Sequence, residues 1–232
     1  MKILGIIPVR GGSKGVPKKN IRLLNGKPLI QYTSDVALSS NYLDQVIVST
    51  EDDEIEKVAR GLGLEVPFKR PNELATDESP TILTLIHALE YYKCKGIFYD
   101  AVCLLQVTNP FRTSEFIDKA IEKFRNVKSD SLLSVLKVPH EYNPHWIFEV
   151  KESGNLKIST GESEIISRRQ ELPTCYYRDG SIYITKTKVL LNQKSLYGKS
   201  ISYIESDESR HVNIDTMKDW VRAEELAINL NK

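Results

Sequence analysis

The sequence predicts an α/β fold in which a mostly parallel β-sheet is flanked by helices. Short apolar runs, typical of buried strands, alternate with longer segments whose apolar residues recur every three or four positions. The best of these runs, 101–105, is continuously apolar, which is typical of a strand covered by helices on both faces. The chain has 232 residues, so we expect a single domain over 1–232.

The individual elements follow from local signals. Pro28 and Pro80 suit the start of a helix, and Asp52 and Thr113 suit helix N-caps. A last helix carries Trp220 and further apolar residues at helical spacing. The predicted strands cover 3–9, 45–50, 64–68, 101–105 and 131–135, with a returning strand at 181–185.

Residues 138–175 interrupt the alternation of strands and helices. They are polar and contain three prolines and two glycines, which predicts an excursion from the core and not a linker to a second domain. Two interpretations stay open, a plain surface loop and a dimerisation arm or substrate lid. Tyr142, Trp146 and Phe148 are too apolar for a solvated loop and favour the arm or lid. An arm predicts a homodimer.

Composition excludes several functional classes. The 32 basic and 31 acidic residues nearly cancel, so we expect no nucleic acid and no membrane as partners. No apolar run approaches the roughly 18 residues that span a bilayer, and the first residues do not resemble a signal peptide. The three cysteines form no C-x-x-C pair, which argues against zinc. We therefore expect a cytoplasmic protein with reduced thiols.

A glycine-rich cationic loop follows the first strand. Residues 10–19 contain three glycines and four cations, and glycine lets backbone N–H groups approach an anion closely. The loop suits a nucleoside triphosphate, yet it matches neither the P-loop nor the dinucleotide-binding motif, because Gly15 follows Lys14. Arg10 alone would favour a surface ion pair. With this loop behind it, Arg10 is predicted to clamp phosphate.

Polar residues also follow other predicted strands. Because ligands of such sheets bind beyond the carboxyl ends of the strands, Arg10, Glu51, Gln106 and Lys137 are expected at one rim. Gln106 and Thr108 either hydrogen-bond a polar ligand there or merely end the strand and stabilise the turn.

Asn213 and Asp215 precede the last helix. In an extended segment, residues two apart share a face, so the two side chains suit a Mg²⁺ site built of oxygen ligands. The alternative for Asp215 is an ordinary helix N-cap. The four histidines are scattered and suggest no metal set.

Several motifs together resemble one family. The chain resembles the acylneuraminate cytidylyltransferases, which comprise the CMP-sialic acid synthetases and their relatives for legionaminic and pseudaminic acids. The matching segments occur in the family's order: IPVRGGSKG (7–15), KN (19–20), VST (48–50), RPNELA (70–75), LQVTNP (105–110), RQELP (169–173), GSIYI (180–184) and IDT (214–216).

The resemblance implies a Rossmann-like nucleotidyltransferase sheet with an inserted dimerisation arm. It also implies a reaction in which CTP and a nine-carbon 2-keto sugar acid give the CMP-sugar and pyrophosphate, with Mg²⁺ as cofactor. The anomeric hydroxyl would attack the α-phosphate, a reaction that depends on alignment and charge neutralisation.

The resemblance assigns a role to each candidate residue. The catalytic residues would be Arg10 and Lys19. The nucleotide would be bound by Arg10, Gly11, Ser13, Lys14, Asn20, Arg70 and Thr81. The sugar would be bound by Gln106, Thr108, Arg169, Asp179 and Tyr183, and the metal by Asp215 with Asn213.

Departures from the family pattern bear on the metal and the sugar. Asn213 stands where the family commonly has an acid, which favours one metal on Asp215 over two. Asp179 replaces a common asparagine, and residues 142–146 lack a lysine typical of sialic acid enzymes. Legionaminic, pseudaminic or other acylated nonulosonic acids are therefore at least as well matched as N-acetylneuraminate. Two alternatives remain, a transferase for another sugar acid or nucleotide and a non-catalytic nucleotide-sugar sensor.

Overall fold

The structure, a computed structural model, describes residues 1–230 of the chain. The strands are β1 (Ile3–Pro8), β2 (Leu23–Leu24), β3 (Lys27–Pro28), β4 (Gln45–Ser49), β5 (Ala101–Leu104), β6 (Ser131–Lys137), β7 (Phe148–Val150), β8 (Leu156–Ile158), β9 (Tyr176–Lys186) and β10 (Ile201–Glu205). The α-helices are α1 (Leu29–Leu38), α2 (Asp53–Gly61), α3 (Thr81–Cys94), α4 (Ser114–Val127), α5 (Thr187–Gln193) and α6 (Met217–Leu230). None of these helices is both long enough and apolar enough to cross a bilayer.

Six strands form the central sheet in the order β10-β6-β9-β5-β1-β4. β1 pairs in parallel with β4 and β5, and β10 pairs in parallel with β6. β9 runs antiparallel between β5 and β6. The predicted α/β class with a mostly parallel sheet is confirmed, and the carboxyl ends of β1, β4 and β5 lie at one rim.

Helices cover both faces of this sheet. Alternate residues of β1 point to opposite sides, so Ile3 and Ile7 join one core cluster and Leu4 and Ile6 join the other. The first cluster includes apolar side chains of α1, α2, α4 and α6, and the second includes those of α3 and α5. Each sheet face is therefore buried against its own helical layer.

Local signals for helix starts are confirmed. The Asp52 carboxylate accepts hydrogen bonds from the backbone N–H groups of Glu54 and Ile55, both at 2.9 Å. Thr113 caps α4 by accepting from the backbone N–H of Phe116 at 3.2 Å. Both caps satisfy N–H groups that have no partner within the helix.

The predicted strand at 64–68 is wrong. Within this segment only Glu65 makes an isolated bridge, to Ile47, and a second isolated bridge joins Lys69, just after the segment, to Thr50. Pro67 lies within it and has no N–H to donate to a ladder. The returning strand is longer than the predicted 181–185, because β9 begins at Tyr176 and passes through an irregularity in its pairing with β6.

The segment 138–175 adds no strand to the six-stranded sheet. It contains the hairpin β7–β8 and three short 3-10 turns. Large apolar side chains of this segment face solvent, with Tyr142 68%, Val150 73% and Leu156 60% exposed. The segment is therefore an excursion that carries exposed apolar groups, as an arm or lid requires.

Candidate active site

A cavity of about 410 Å³ opens at the rim where β1 and β5 end. Most of the candidate residues from distant parts of the chain meet in its wall, which supports the expectation that strand ends converge. The candidates that line it are Arg10, Ser13, Lys14, Lys19, Asn20, Arg70, Thr81, Gln106, Thr108 and Asp215.

Hydrogen bonds with Glu51 and Asn20 hold the loop after β1 in place. The backbone N–H of Gly11 donates to Glu51 Oε1 at 2.8 Å, and the Asn20 side chain donates to the Arg10 carbonyl at 2.8 Å. A Cβ on Gly11 would lie 2.3 Å from Asp52 Oδ2, so only glycine fits without rearrangement. The loop is therefore anchored by the start of α2.

Arg70 fastens the ends of β1 and β4 to each other. Its buried guanidinium donates to the Val9 carbonyl at 2.7 Å and pairs with the Glu51 carboxylate. The Nε of Arg70 is buried without a hydrogen-bond partner among the described residues. The side chain lines the cavity, so this buried cation both supports the loop and borders the ligand space.

Lys19 joins the loop to the segment before α6. Its Nζ donates to the Ile214 carbonyl at 2.6 Å and lies 3.5 Å from Asp215 Oδ1. Burial lowers the pKa of the Lys19 ammonium, and the Asp215 carboxylate opposes that shift. A Cβ on Gly15 would lie 1.9 Å from the Asp215 carbonyl oxygen. The loop and the segment are thus in backbone contact.

Asp215 does not cap the last helix. Thr216 takes that place, because its Oγ1 accepts from the Asp219 N–H at 3.3 Å while the Asp219 carboxylate accepts from the Thr216 N–H at 2.8 Å. The helix-cap interpretation of Asp215 is therefore wrong. Its carboxylate instead borders the cavity, where Asn213 Nδ2 donates to Asp215 Oδ2 at 2.6 Å.

The turn after β5 forms another part of the cavity wall. Arg112 is buried and donates to the carbonyls of Gln106 and Asn109, and the Thr108 carbonyl accepts from the Ile214 N–H at 2.9 Å. Hydrogen bonds to its backbone carbonyls therefore fix this turn, and Gln106 and Thr108 border the cavity. This part of the wall offers neutral hydrogen-bonding groups to the cavity that the cationic loop also lines.

A family model described as Cytidylyltransferase matches residues 4–226. The chain belongs to the cytidylyltransferase family. This membership makes it a CTP-dependent nucleotidyltransferase, and it confirms the resemblance found in the motifs.

Relatives match the cytidylyltransferase over nearly its whole length. The CMP-N,N'-diacetyllegionaminic acid synthase of Legionella pneumophila is 38% identical over 227 residues, covering 97% of this chain and 96% of the relative. The pseudaminic acid cytidylyltransferase of Campylobacter jejuni is 33% identical, and the match covers 94% of this chain and 93% of the relative. A solved CMP:2-keto-3-deoxy-manno-octonic acid synthetase in complex with CTP shares the fold, with a TM-score of 0.75 and 18% identity. The match covers 99% of this chain and 100% of that structure.

Some candidate sugar-binding residues of the cytidylyltransferase lie outside the cavity wall. The Asp179 carboxylate is buried and accepts from Ser134, Ser181 and Ser206. Tyr183 packs in the core cluster beneath α3. Their sugar-binding roles remain predictions.

Arg169 borders a separate cavity of about 380 Å³ at the base of the segment 138–175. Gly11 borders an outer cleft of about 530 Å³ on the far side of the cationic loop. Neither residue lines the main cavity of the cytidylyltransferase, and their assigned roles also remain predictions.

Asp77 is the charged residue of the cavity that escaped the sequence analysis. The Asp77 carboxylate pairs with both Arg10 and Lys14, and hydrogen bonds from Lys14 and Arg10 lower the pKa of this carboxyl group. Its only signal in the sequence was its place two residues after the segment 70–75. Nothing in composition or periodicity indicates that this loop folds back onto the cations of the cytidylyltransferase.

Proposed function

We propose that this cytidylyltransferase uses CTP to activate a nonulosonic, sialic-acid-like sugar acid, giving the CMP-sugar and pyrophosphate. The observation that carries the proposal is a single cavity lined both by the cations Arg10, Lys14 and Lys19 and by the neutral polar residues Gln106 and Thr108. The names of relatives that cover nearly the whole chain, a legionaminic and a pseudaminic acid enzyme, support this substrate class.

In the proposed reaction, the anomeric hydroxyl oxygen bonds to the α-phosphorus and its proton passes to solvent. The bond from the α-phosphorus to the bridging oxygen of the β-phosphate breaks, and pyrophosphate leaves with that oxygen. Arg10 and Lys14 hold the departing phosphates, and Lys19 stabilises the charge that develops at the α-phosphate. Ser13, Asn20, Arg70 and Thr81 complete the nucleotide site in the cavity, and Gly11 would contribute from the outer cleft. Gln106 and Thr108 orient the sugar by hydrogen bonds, so the residues act by alignment and charge stabilisation.

Cytidylyltransferases of this kind generally use a divalent metal, and we propose Mg²⁺. No group of three or more His, Cys, Asp or Glu side chains suited to a metal occurs within residues 1–230. Mg²⁺ needs only one or two carboxylates when phosphates and water complete its shell, so Asp215 at the cavity fits. Asn213 supports this ligand through its hydrogen bond to Asp215. When bound, the ion would neutralise charge on phosphate oxygens.

Asn213→Ala is expected to raise the half-saturating Mg²⁺ concentration about fivefold, because a hydrogen bond that orients the Asp215 carboxylate is worth about 1 kcal/mol. Turnover titrated with Mg²⁺ measures this change. As a control, the Kd for CTP measured in EDTA should be the same for the variant and the parent. Equal Mg²⁺ dependence in both proteins would show that Asn213 does not support the ligand.

We also propose a homodimer formed through the segment 138–175, the dimerisation arm. The exposed Tyr142, Val150 and Leu156 supply apolar surface for a second copy. In such a dimer, Arg169 would complete the sugar site from the base of the arm. Asp179 and Tyr183 are buried, so their predicted roles would require β9 to expose these side chains to the sugar.

The double variant Val150→Asp, Leu156→Asp is expected to be monomeric, because it places two charges on the exposed apolar face of the hairpin. Light scattering should give twice the 26.4 kDa chain mass for the parent and a single chain mass for the variant. Lys151→Asp, on the same hairpin, is the charge control. A monomeric parent would refute the arm.

The function itself is tested by pyrophosphate release with CTP, ATP, GTP and UTP, each against a panel of nonulosonic acids and an eight-carbon 2-keto acid. We expect release only with CTP, and faster with a nonulosonic acid than with the shorter acid. No release with any acid, despite measurable CTP binding, would contradict the proposal. Preference for another nucleotide or acid would support the alternative transferase, whereas membership of an enzyme family disfavours the sensor.

A further inference from the structure

Each of the four cations in the loop after β1 has an acidic partner within the chain. Lys18 pairs with Glu54 and Lys19 with Asp215. Arg10 and Lys14 both pair with Asp77, one on each oxygen of its carboxylate. The cations proposed to bind the triphosphate therefore already have acidic partners inside the molecule, and Asp77 alone is the partner of two of them.

Asp77 lies at the boundary between two openings. It borders the cavity of about 410 Å³ at the end of β1 and also the outer cleft of about 530 Å³. Arg10 and Lys14 border both openings as well. A phosphate group that passes between the outer cleft and the cavity would meet these two cations where Asp77 now contacts them.

Asp77 belongs to a short loop that lies between two helical elements. The 3-10 turn Asn72–Leu74 precedes it and α3 begins at Thr81. The loop is held by few bonds: Arg10 Nη1 donates to the Ala75 carbonyl at 3.4 Å, and the Ser79 N–H donates to the Thr76 carbonyl at 3.3 Å. Its carboxylate is partly exposed, so the ion pairs can exchange with an external anion at modest cost.

We propose that Asp77 occupies the phosphate-binding position in the free enzyme, is displaced by the β- and γ-phosphates of the incoming nucleotide, and returns to Arg10 and Lys14 as pyrophosphate leaves. A carboxylate that contacts two cations resembles a phosphate group in charge and in spacing of its oxygens. Pyrophosphate carries more charge and more acceptors, so it displaces the carboxylate while bound. The competing carboxylate nevertheless weakens its retention. This inference rests on the proposed function.

The proposal makes Asp77 a positioning residue with two effects. It occupies Arg10 and Lys14 before the nucleotide binds, and it limits product inhibition by pyrophosphate. Replacing it by a neutral isostere removes the competition but leaves the cations in place. The expected result is tighter binding of pyrophosphate, an effect opposite to that of losing an ordinary supporting residue.

The test compares Asp77→Asn with Glu78→Gln, a neighbouring acid for which residues 1–230 show no ion pair. Calorimetry with inorganic pyrophosphate and with CTP, in EDTA, should give Kd values lowered roughly two- to tenfold in Asp77→Asn and unchanged in Glu78→Gln. The gain should shrink at high ionic strength. In turnover assays, the inhibition constant for pyrophosphate should fall by a similar factor.

Unchanged or weaker pyrophosphate binding by Asp77→Asn, while the parent binds normally, would overturn the proposal and leave the proposed function standing. Weaker binding only when Mg²⁺ is present would instead assign Asp77 to the metal, and would also overturn it. Failure of the parent to bind either CTP or pyrophosphate would overturn the proposed function itself, and this inference with it.

Discussion

Arg10→Ala is expected to lower kcat/KM for CTP by about 10²- to 10³-fold, the usual effect of removing one preorganised group that stabilises developing charge. The guanidinium borders the cavity, and the described residues bond it only to the Ala75 carbonyl and the Asp77 carboxylate. It supports little packing, so the free energy of unfolding should change by less than about 1 kcal/mol.

Steady-state kinetics and thermal unfolding of the same preparations measure both effects. Arg222→Ala, an exposed arginine on α6, is the matched control and should retain activity. Arg10→Lys keeps the charge but loses the planar fork that binds two oxygens, so an intermediate rate is expected. An unfolded Arg10→Ala would show that Arg10 is structural and that the cationic loop has been misinterpreted.

Short-range features of this chain could be predicted from the sequence because their causes are local. Asp52 and Thr113 cap helices through N–H groups two or three residues away, and the cap geometry needs no tertiary information. Convergence of Arg10 and Gln106 was also predictable, since parallel strands place their carboxyl ends at one rim.

Long-range pairings of strands were not predictable in the same way. β9 lies antiparallel between β5 and β6, and β10 pairs with β6 at the edge of the sheet. In neither case do the paired strands follow each other directly in the sequence. An apolar run shows that a strand is buried but does not name its partner. The partner depends on connections that run through the whole segment 138–175.

In the candidate site, too, the residues placed by local sequence were predictable, whereas the contacts that depend on distant segments were not. Residues on the cationic loop and at strand ends lie at the cavity, because the loop follows β1 directly. The pairing of Asp77 with Arg10 and Lys14 depends on the conformation of a loop more than sixty residues away in sequence. Capping by Thr216, which leaves Asp215 at the cavity, had a local signal in the Thr-x-x-Asp pattern of Thr216 and Asp219.

Gly15→Ala is expected to lower kcat/KM by roughly 10²-fold and the free energy of unfolding by about 1–3 kcal/mol. The added methyl group would lie 1.9 Å from the Asp215 carbonyl oxygen. Because the clash is with backbone, the loop and the segment before α6 must separate. The contacts of Lys19 with Ile214 and Asp215 cross the same junction, so both the proposed catalytic lysine and the proposed metal ligand shift together.

Gly12→Ala tests whether this effect is steric or reflects loop flexibility in general. A Cβ on Gly12 would meet no atom within 4 Å, although Gly12 lies in the same loop. Gly12→Ala should therefore keep near-parental activity and stability, since only backbone freedom is lost. If both variants lost activity equally, mobility of the loop would be the requirement. If Gly15→Ala were fully active, contact between the loop and Asp215 would not be needed for turnover, and the site would have to tolerate a displaced Lys19.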